Sequence, residues 1–228
     1  MSGRRLLAID TSGMDALVAL GRENGTLVAE RRWAAGYRHG EELLTRIDKM
    51  LKGEGEGEGE GVALAELAGV VVGTGPGAFT GLRVGLATAK ALARELAIPI
   101  AGVATSEALL ETAAVGDGKQ AVLLLPAGPS DRVFVADGVA TLVKGGDEPR
   151  VEPGSLLVAV DLPDRAPADA LVRGVQAEAG LSTALLRLGA RKLAAGGDDV
   201  ARLVPEYVTL PRGVAAMKGE VRWSRDLR

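Results

Sequence analysis

VVVGTGPGAFTGLRVGLATAKALA, from Val70 to Ala93, joins an apolar run, a knot of glycines and an alanine-rich helical pattern. Strand, glycine-rich loop and helix stand in the order by which many proteins hold a phosphate, since backbone N–H groups at a helix start point at an anion. The loop is not a Walker A, because no Lys-Ser/Thr follows the glycines and Lys90 lies several turns along the helix. Nor is it GxGxxG, because Gly73, Gly75 and Gly77 lead into Ala78, Phe79 and Thr80. What the loop is for has to come from its surroundings.

Upstream, RRLLAID (Arg4–Asp10) reads as a buried strand, Thr11–Ser12–Gly13 as a turn and Ala16–Leu20 as a second strand. Asn24–Gly25 marks a tight hairpin into a third strand, Thr26–Trp33. GEELLTRIDKML follows, with Leu43, Leu44, Ile47, Met50 and Leu51 at helical spacing. The tract GEGEGEGEG (Gly53–Gly61) has no apolar residue and reads as a disordered surface loop. Ala63–Ala68 reads as a helical turn or two, Val70–Gly73 as a strand, and the helix after the glycines runs to about Leu96. Ile98–Ala104 is a further strand, with Thr105 or Ser106 capping the next helix.

The order then restarts. Gln120–Leu125, Arg132–Asp137 and Val139–Val143 read as three strands, with a further strand at Leu171–Val175 and an amphipathic helix over Leu181–Ala195. Two three-strand meanders, each followed by helix and strand, predict a duplicated α/β unit. The expected organisation is residues 1–104, residues 105–204 and an extended tail over 205–228 that contains VPEYVTLPR.

Composition excludes several classes. The chain has 228 residues, 47% hydrophobic and 25% charged, which is ordinary for a globular protein. Aromatics make up only 3%, so the core is expected to be Leu, Val, Ala and Gly. No window reaches the roughly 18 apolar residues of a membrane span, and MSGRRLLAID has no signal-peptide pattern. The absence of cysteine excludes disulfides, thiolate metal sites and thiol catalysis, and fits a cytoplasmic location. A net charge of −3 and a pI near 5.4 argue against strong autonomous nucleic-acid binding.

LLAIDTSGMDALVAL, YRHGEELLTRIDKML and GTGPGAFTGLRVGLATAKALA, in that order, resemble the bacterial TsaB (YeaZ) family, relatives of the Kae1/TsaD glycoprotease-like proteins in the actin-like ATPase (ASKHA) superfamily. The tail, at Pro205, Glu206 and Tyr207, is similar to that family's ending. The resemblance covers about residues 4–108 and the tail, and the stretch between is loose. It implies an actin-like α/β fold of two RNase H-like subdomains, each with a mixed five-stranded sheet flanked by helices. It further implies a non-catalytic scaffold and dimerisation subunit that works with a TsaD-type enzyme and a TsaE-type ATPase. Their shared product is N6-threonylcarbamoyladenosine at adenosine 37 of tRNAs reading codons that begin with A. The tRNA is met only indirectly, and family members self-associate when the partner is absent.

The residues themselves offer little chemistry. Metal sites in TsaD relatives use HxxxH, but here the helix reads His39-Gly-Glu-Glu-Leu43, and His39 is the only histidine. An actin-like ATPase needs an Asp in each of two phosphate hairpins. Asp10 stands at the first; at the second, Pro126 and Ala127 stand where similar proteins place Asp, and Asp131 comes late. A vestigial nucleotide site would comprise Asp10, Thr11, Gly75, Gly77 and Thr80. Ser12, Thr80 and Ser106 are candidate nucleophiles without a histidine to pair with. No catalytic residue, metal or cofactor is therefore expected; the alternative is a stand-alone actin-like ATPase or small-molecule kinase.

The helix after Phe79 is apolar except for Arg83, Lys90 and Arg94, which share one strip, and Gly81, Gly85 and Ala89 recur every four residues. Either the chain's own sheet and its Leu43–Leu51 helix cover this helix, or one side meets a partner's helices. The resemblance favours the partner. The interface so implied comprises His39, Leu43, Leu44, Ile47, Phe79, Gly81, Arg83, Gly85, Leu86, Ala89 and Lys90. The ending MKGEVRWSRDLR, with Lys218, Arg222, Arg225 and Arg228 around Trp223, reads as a solvated terminus, the alternative being contact with tRNA by charge and stacking.

Overall fold

The computed structural model describes residues 3–36, 39–54, 61–113 and 119–208, so the expectations for 55–60 and 209–228 lie outside the described residues. Strands β1 (Arg5–Asp10), β2 (Asp15–Arg22) and β3 (Leu27–Ala34) form an antiparallel meander. Helix α1 (His39–Leu51) and a single 3-10 turn (Leu64–Glu66) lead to β4 (Leu67–Gly73), which lies parallel to β1. Helix α2 (Phe79–Glu95) then returns the chain to β5 (Ile100–Val103), parallel to β4. The sheet order is β3-β2-β1-β4-β5.

A strand buried on both faces must be apolar throughout. β1 meets that demand: Leu7 and Ile9 enter the core beneath α1 and α2, while Leu6 and Ala8 enter a second core on the opposite face. α1 fills the first core with Leu43, Ile47, Met50 and Leu51, all at helical spacing.

The second half repeats the order with one strand fewer. After α3 (Thr105–Ala113), β6 (Ala121–Pro126), β7 (Arg132–Ala136) and β8 (Val139–Val143) form a second meander, and β9 (Leu156–Ala159) adds parallel to β6. Among the described residues this sheet has four strands, β8-β7-β6-β9, not five. Leu171–Val175, expected as a strand, lies inside helix α4 (Ala168–Ala194), whose start also precedes the expected Leu181. The reason is periodicity. Ala170, Gly174, Ala177, Leu181, Ala184 and Leu185 are buried at steps of three and four, and a short apolar run cannot reveal that period by itself.

α4 is the organising element. Its 27 residues span about 40 Å. It packs on β9 at one end and on β4, β5 and β1 further along, with α3 at its side. One apolar core accordingly runs from Leu6, Ala8 and Val71 of the first sheet to Leu123, Val135 and Val158 of the second. Three glycines allow the close approach: a β-carbon on Gly174 would overlap the Ala159 carbonyl, one on Gly180 would meet Thr112, and one on Gly189 would meet Val71. At Gly180 the neighbouring Thr112 hydroxyl donates to the Ala177 carbonyl at 2.9 Å.

Alanine is worth about 1 kcal/mol over glycine in a helix interior. At Gly174 the carbonyl it would strike belongs to backbone and cannot swing away. Gly174→Ala is therefore expected to lower stability by about 1–3 kcal/mol, measured by urea unfolding with an unchanged m-value.

Candidate functional site

The glycine loop and the end of β1 close on each other. Asp10 is 2% exposed, and its Oδ1 accepts the Ser12 N–H at 2.8 Å and the Ser12 hydroxyl at 2.7 Å. Its Oδ2 accepts the Thr105 hydroxyl at 2.6 Å, and Thr105 Oγ1 in turn accepts the Gly75 N–H at 3.2 Å. One carboxylate thus ties the β1–β2 turn to the first residue of α3 and, through it, to the glycine loop. Thr11, also 2% exposed, donates to the Gly81 carbonyl at 2.7 Å, fastening the same turn to the first turn of α2.

The glycines make this possible. A β-carbon on Gly73 would overlap the Asp10 carboxylate, one on Gly77 the Ser12 carbonyl, and one on Gly85 the Thr11 hydroxyl. The Ala78 N–H, at the mouth of α2, donates to the Ser12 carbonyl at 2.7 Å. The chain's own β1–β2 turn thus packs closely against the glycine loop.

Of the two readings of the helix groove, the burial of Gly81, Gly85 and Ala89 in this chain accords with cover by the chain's own sheet and the Thr11 turn. Leu43, Ile47 and Leu86 are likewise core residues. Of the expected interface, Leu44 is 60% exposed, Arg83 is exposed, and Phe79 and Lys90 are half-buried. His39 opens α1, and its side chain lies outside the described residues. Of the expected nucleotide-site residues, Asp10, Thr11 and Gly75 are buried, while Gly77 and Thr80 are exposed.

The second hairpin supplies no facing carboxylate. Asp131 is held by Lys144 Nζ and the Gly145 N–H, both at 2.9 Å. What reaches the β1–β2 turn from the second sheet is Asp161, two residues past β9, whose Oδ2 accepts the Met14 N–H at 3.1 Å. Glu178 of α4 lies in its neighbourhood. Burial above all, then the charges of Asp161 and Asp15, push its carboxyl up to about 7, with Arg32 opposing. Neither residue belongs to the expected site, because β9 is not among the expected strands. Among the described residues, no group of three or more His, Cys, Asp or Glu side chains converges to hold a metal ion.

A cleft of about 670 Å³ opens at the carboxyl ends of β4 and β5, between Glu107, Arg191, Arg202 and the tail. Lys192 Nζ donates to the Gly102 carbonyl at 2.8 Å and pairs with Asp198 at 2.9 Å. The tail crosses its mouth: the Glu206 N–H donates to the Thr74 carbonyl at 2.8 Å, and Thr74 Oγ1 donates to Glu206 Oε1 at 3.3 Å. Burial raises the Glu206 carboxyl, the Thr74 bond lowers it, and Glu107 raises it further.

A meander with parallel strands added beside its first strand, made twice around shared helices, is the architecture of the actin-like ATPase superfamily. A family model described as TsaD, tRNA N6-adenosine threonylcarbamoyltransferase, matches residues 34–154, just over half of the sequence. The chain belongs to this family, as a member of TsaB type. It is 34% identical over 113 residues to the tRNA threonylcarbamoyladenosine biosynthesis protein TsaB of Bacillus subtilis, covering 50% of this chain and 46% of that protein. To the Escherichia coli protein of the same name it is 31% identical over 119 residues, covering 52% and 48%. The chain therefore spans about half the length of these curated relatives. YeaZ from Pseudomonas aeruginosa has the same fold, with a TM-score of 0.63 at 23% identity over 90% of this chain and 99% of that one.

Two outcomes follow from the geometry. Asp10→Ala strands the Ser12 and Thr105 donors in a buried site and is expected to cost about 3 kcal/mol or more in chemical unfolding. Glu178 holds a proton in the folded chain between its ordinary value of 4.5 and about 7, where the unfolded chain does not. Its contribution to stability is therefore full below pH 4.5 and is lost as pH rises towards 7. Unfolding midpoints across that window should show a shallower decline for Glu178→Gln than for the unaltered chain.

Proposed function

We propose that the chain is a non-catalytic scaffold subunit of the machinery that forms N6-threonylcarbamoyladenosine at adenosine 37 of tRNAs reading codons that begin with A. It works in the cytoplasm beside a TsaD-type enzyme, with a TsaE-type ATPase completing the set, and tRNA is engaged through those partners. Its family supports the pathway, since the Bacillus and Escherichia relatives are named for threonylcarbamoyladenosine biosynthesis. The observation that carries the scaffold role is the occupied cradle. A hydrolytic site needs a carboxylate free to position a metal and water, whereas both Asp10 oxygens accept hydrogen bonds from the chain's own Ser12 and Thr105. The Ser12 carbonyl likewise takes the Ala78 N–H at the loop's mouth.

What the chain offers a partner on this reading is the outer surface of α1 and α2, with Leu44 and Arg83 exposed and Phe79 and Lys90 half-buried. The same surface would carry self-association when the partner is absent. The test is to mix the full chain with TsaD-type and TsaE-type proteins of its own organism. Complex formation and ATP turnover are then followed with each protein omitted in turn. Association with the TsaD-type protein and no magnesium-dependent turnover by the isolated chain are expected. Turnover by the isolated chain, abolished in Asp10→Asn, would instead establish a stand-alone ATPase.

A further inference from the structure

Arg132, the first residue of β7, is 7% exposed and is the one Lys or Arg among the buried described residues. A buried guanidinium is stable only where hydrogen bonds and a counter-charge replace the water it has lost. Its close hydrogen bonds go to neutral groups: Nη1 donates to the Arg165 carbonyl at 3.1 Å, and Nη2 donates to the Asp147 carbonyl. Its counter-charge is Glu148, whose two oxygens lie 3.4 Å from Nη2 and 3.5 Å from Nη1. A firm arginine–carboxylate fork closes at about 2.7–2.9 Å. The Glu148 side chain is moreover 83% exposed. The fold therefore grips this buried cation tightly, whereas its anion holds it loosely.

Arg132 and Glu148 both line a cleft of about 590 Å³ beside the second sheet, separate from the one under the tail. That volume lies within the range of about 300–1,000 Å³ in which proteins hold small molecules. Arg165 lines the cleft as well: its Nη1 donates to the Gly128 and Pro129 carbonyls at 3.0 and 3.1 Å. It makes no ion pair among the described residues. Asp164 is the other acid in the lining, and Leu124, Pro149, Val151 and Leu157 supply apolar wall. A guanidinium fork beside aliphatic side chains suits a molecule with an anionic head and a short apolar body. The carbonyl bonds of Arg132 already staple the Asp147 and Arg165 loops to β7, so the loosely held Glu148 adds little to that task.

We propose that this cleft binds a small organic carboxylate, whose head displaces Glu148 from the Arg132 guanidinium while its aliphatic body lies against Leu124, Val151 and Leu157. One carboxylate replaces another, so the charge facing Arg132 is unchanged by the exchange, and Glu148 acts as a built-in competitor that swings into water. The site does not depend on the scaffold role. The test titrates the full chain with hexanoate, acetate and hexanol, following the methyl resonances of Leu124 and Leu157 by NMR. Hexanoate is expected to bind in the millimolar range or tighter, and acetate (head alone) and hexanol (body alone) about tenfold more weakly or worse. Glu148→Ala, an exposed substitution that removes the competing carboxylate, should bind hexanoate about tenfold more tightly than the unaltered chain. Arg132→Lys keeps the charge but loses the fork, and should bind it about tenfold more weakly, with the melting temperature checking that the variant folds. Failure of hexanoate to bind Glu148→Ala at millimolar concentration would overturn the site, as would hexanol binding as well as hexanoate. Equal affinity of Glu148→Ala and the unaltered chain would overturn the exchange and leave Glu148 a surface staple.

Discussion

The Asp10 carboxylate is the point on which the two halves of the first lobe's chemistry converge. It stands at the end of β1, beside β4, where a parallel sheet turns its carboxyl ends towards a crevice. Three donors from Ser12 and Thr105 fill its acceptor sites, and the Thr105 oxygen passes the link to Gly75. A buried carboxylate without such donors would be very unfavourable. With them it becomes a fastening that fixes the first turn, the glycine loop and the start of α3 together. The glycines at 73, 77 and 85 are then obligatory for a simple steric reason: the fastening needs the space their side chains would take.

That constraint separates what the sequence can reveal from what it cannot. The meanders, the two outer helices and the strand–loop–helix unit are legible because unbroken apolar runs survive in Leu6–Ile9 and Val70–Gly73 and the helical period in Leu43–Leu51. The class of fold and the family follow from them. The direction faced by Gly81, Gly85 and Ala89 is not legible. A four-residue recurrence of small residues demands close approach, but it is silent on whether the approaching group is another protein or the chain's own Thr11. The strand Leu156–Ala159 escapes notice because four apolar residues between Pro/Gly-rich segments fit several states. Missing it also hides Asp161 and the acidic surroundings of Glu178, which only the packing of β9 against α4 brings near the β1–β2 turn.

Helix α4 adds a second consequence. Because it runs from β9 to β4 and β5, the two sheets share one apolar core and are not hinged about an open cleft at that level. The Asp161–Met14 bond joins them again on the polar side. The glycines of α4 let backbone and side chains of both sheets close upon it.

On the outer face of α1, Arg46 pairs with Glu42 one turn away, and just beyond the helix Lys52 pairs with Asp48. Internal pairing on an exposed helix contributes only a few tenths of a kcal/mol, so its absence on α2 costs folding little. Across an interface, where water is excluded, the same charges weigh far more. Leaving Arg83, Lys90 and Arg94 without ion pairs among the described residues therefore costs the folded chain almost nothing. The tail reinforces this economy, since Tyr207 keeps nearly half of its surface open while its ring steadies Phe79 beneath Arg83. The interior is closed around Asp10, while Arg83 and Arg94 stand exposed on the outside of α2.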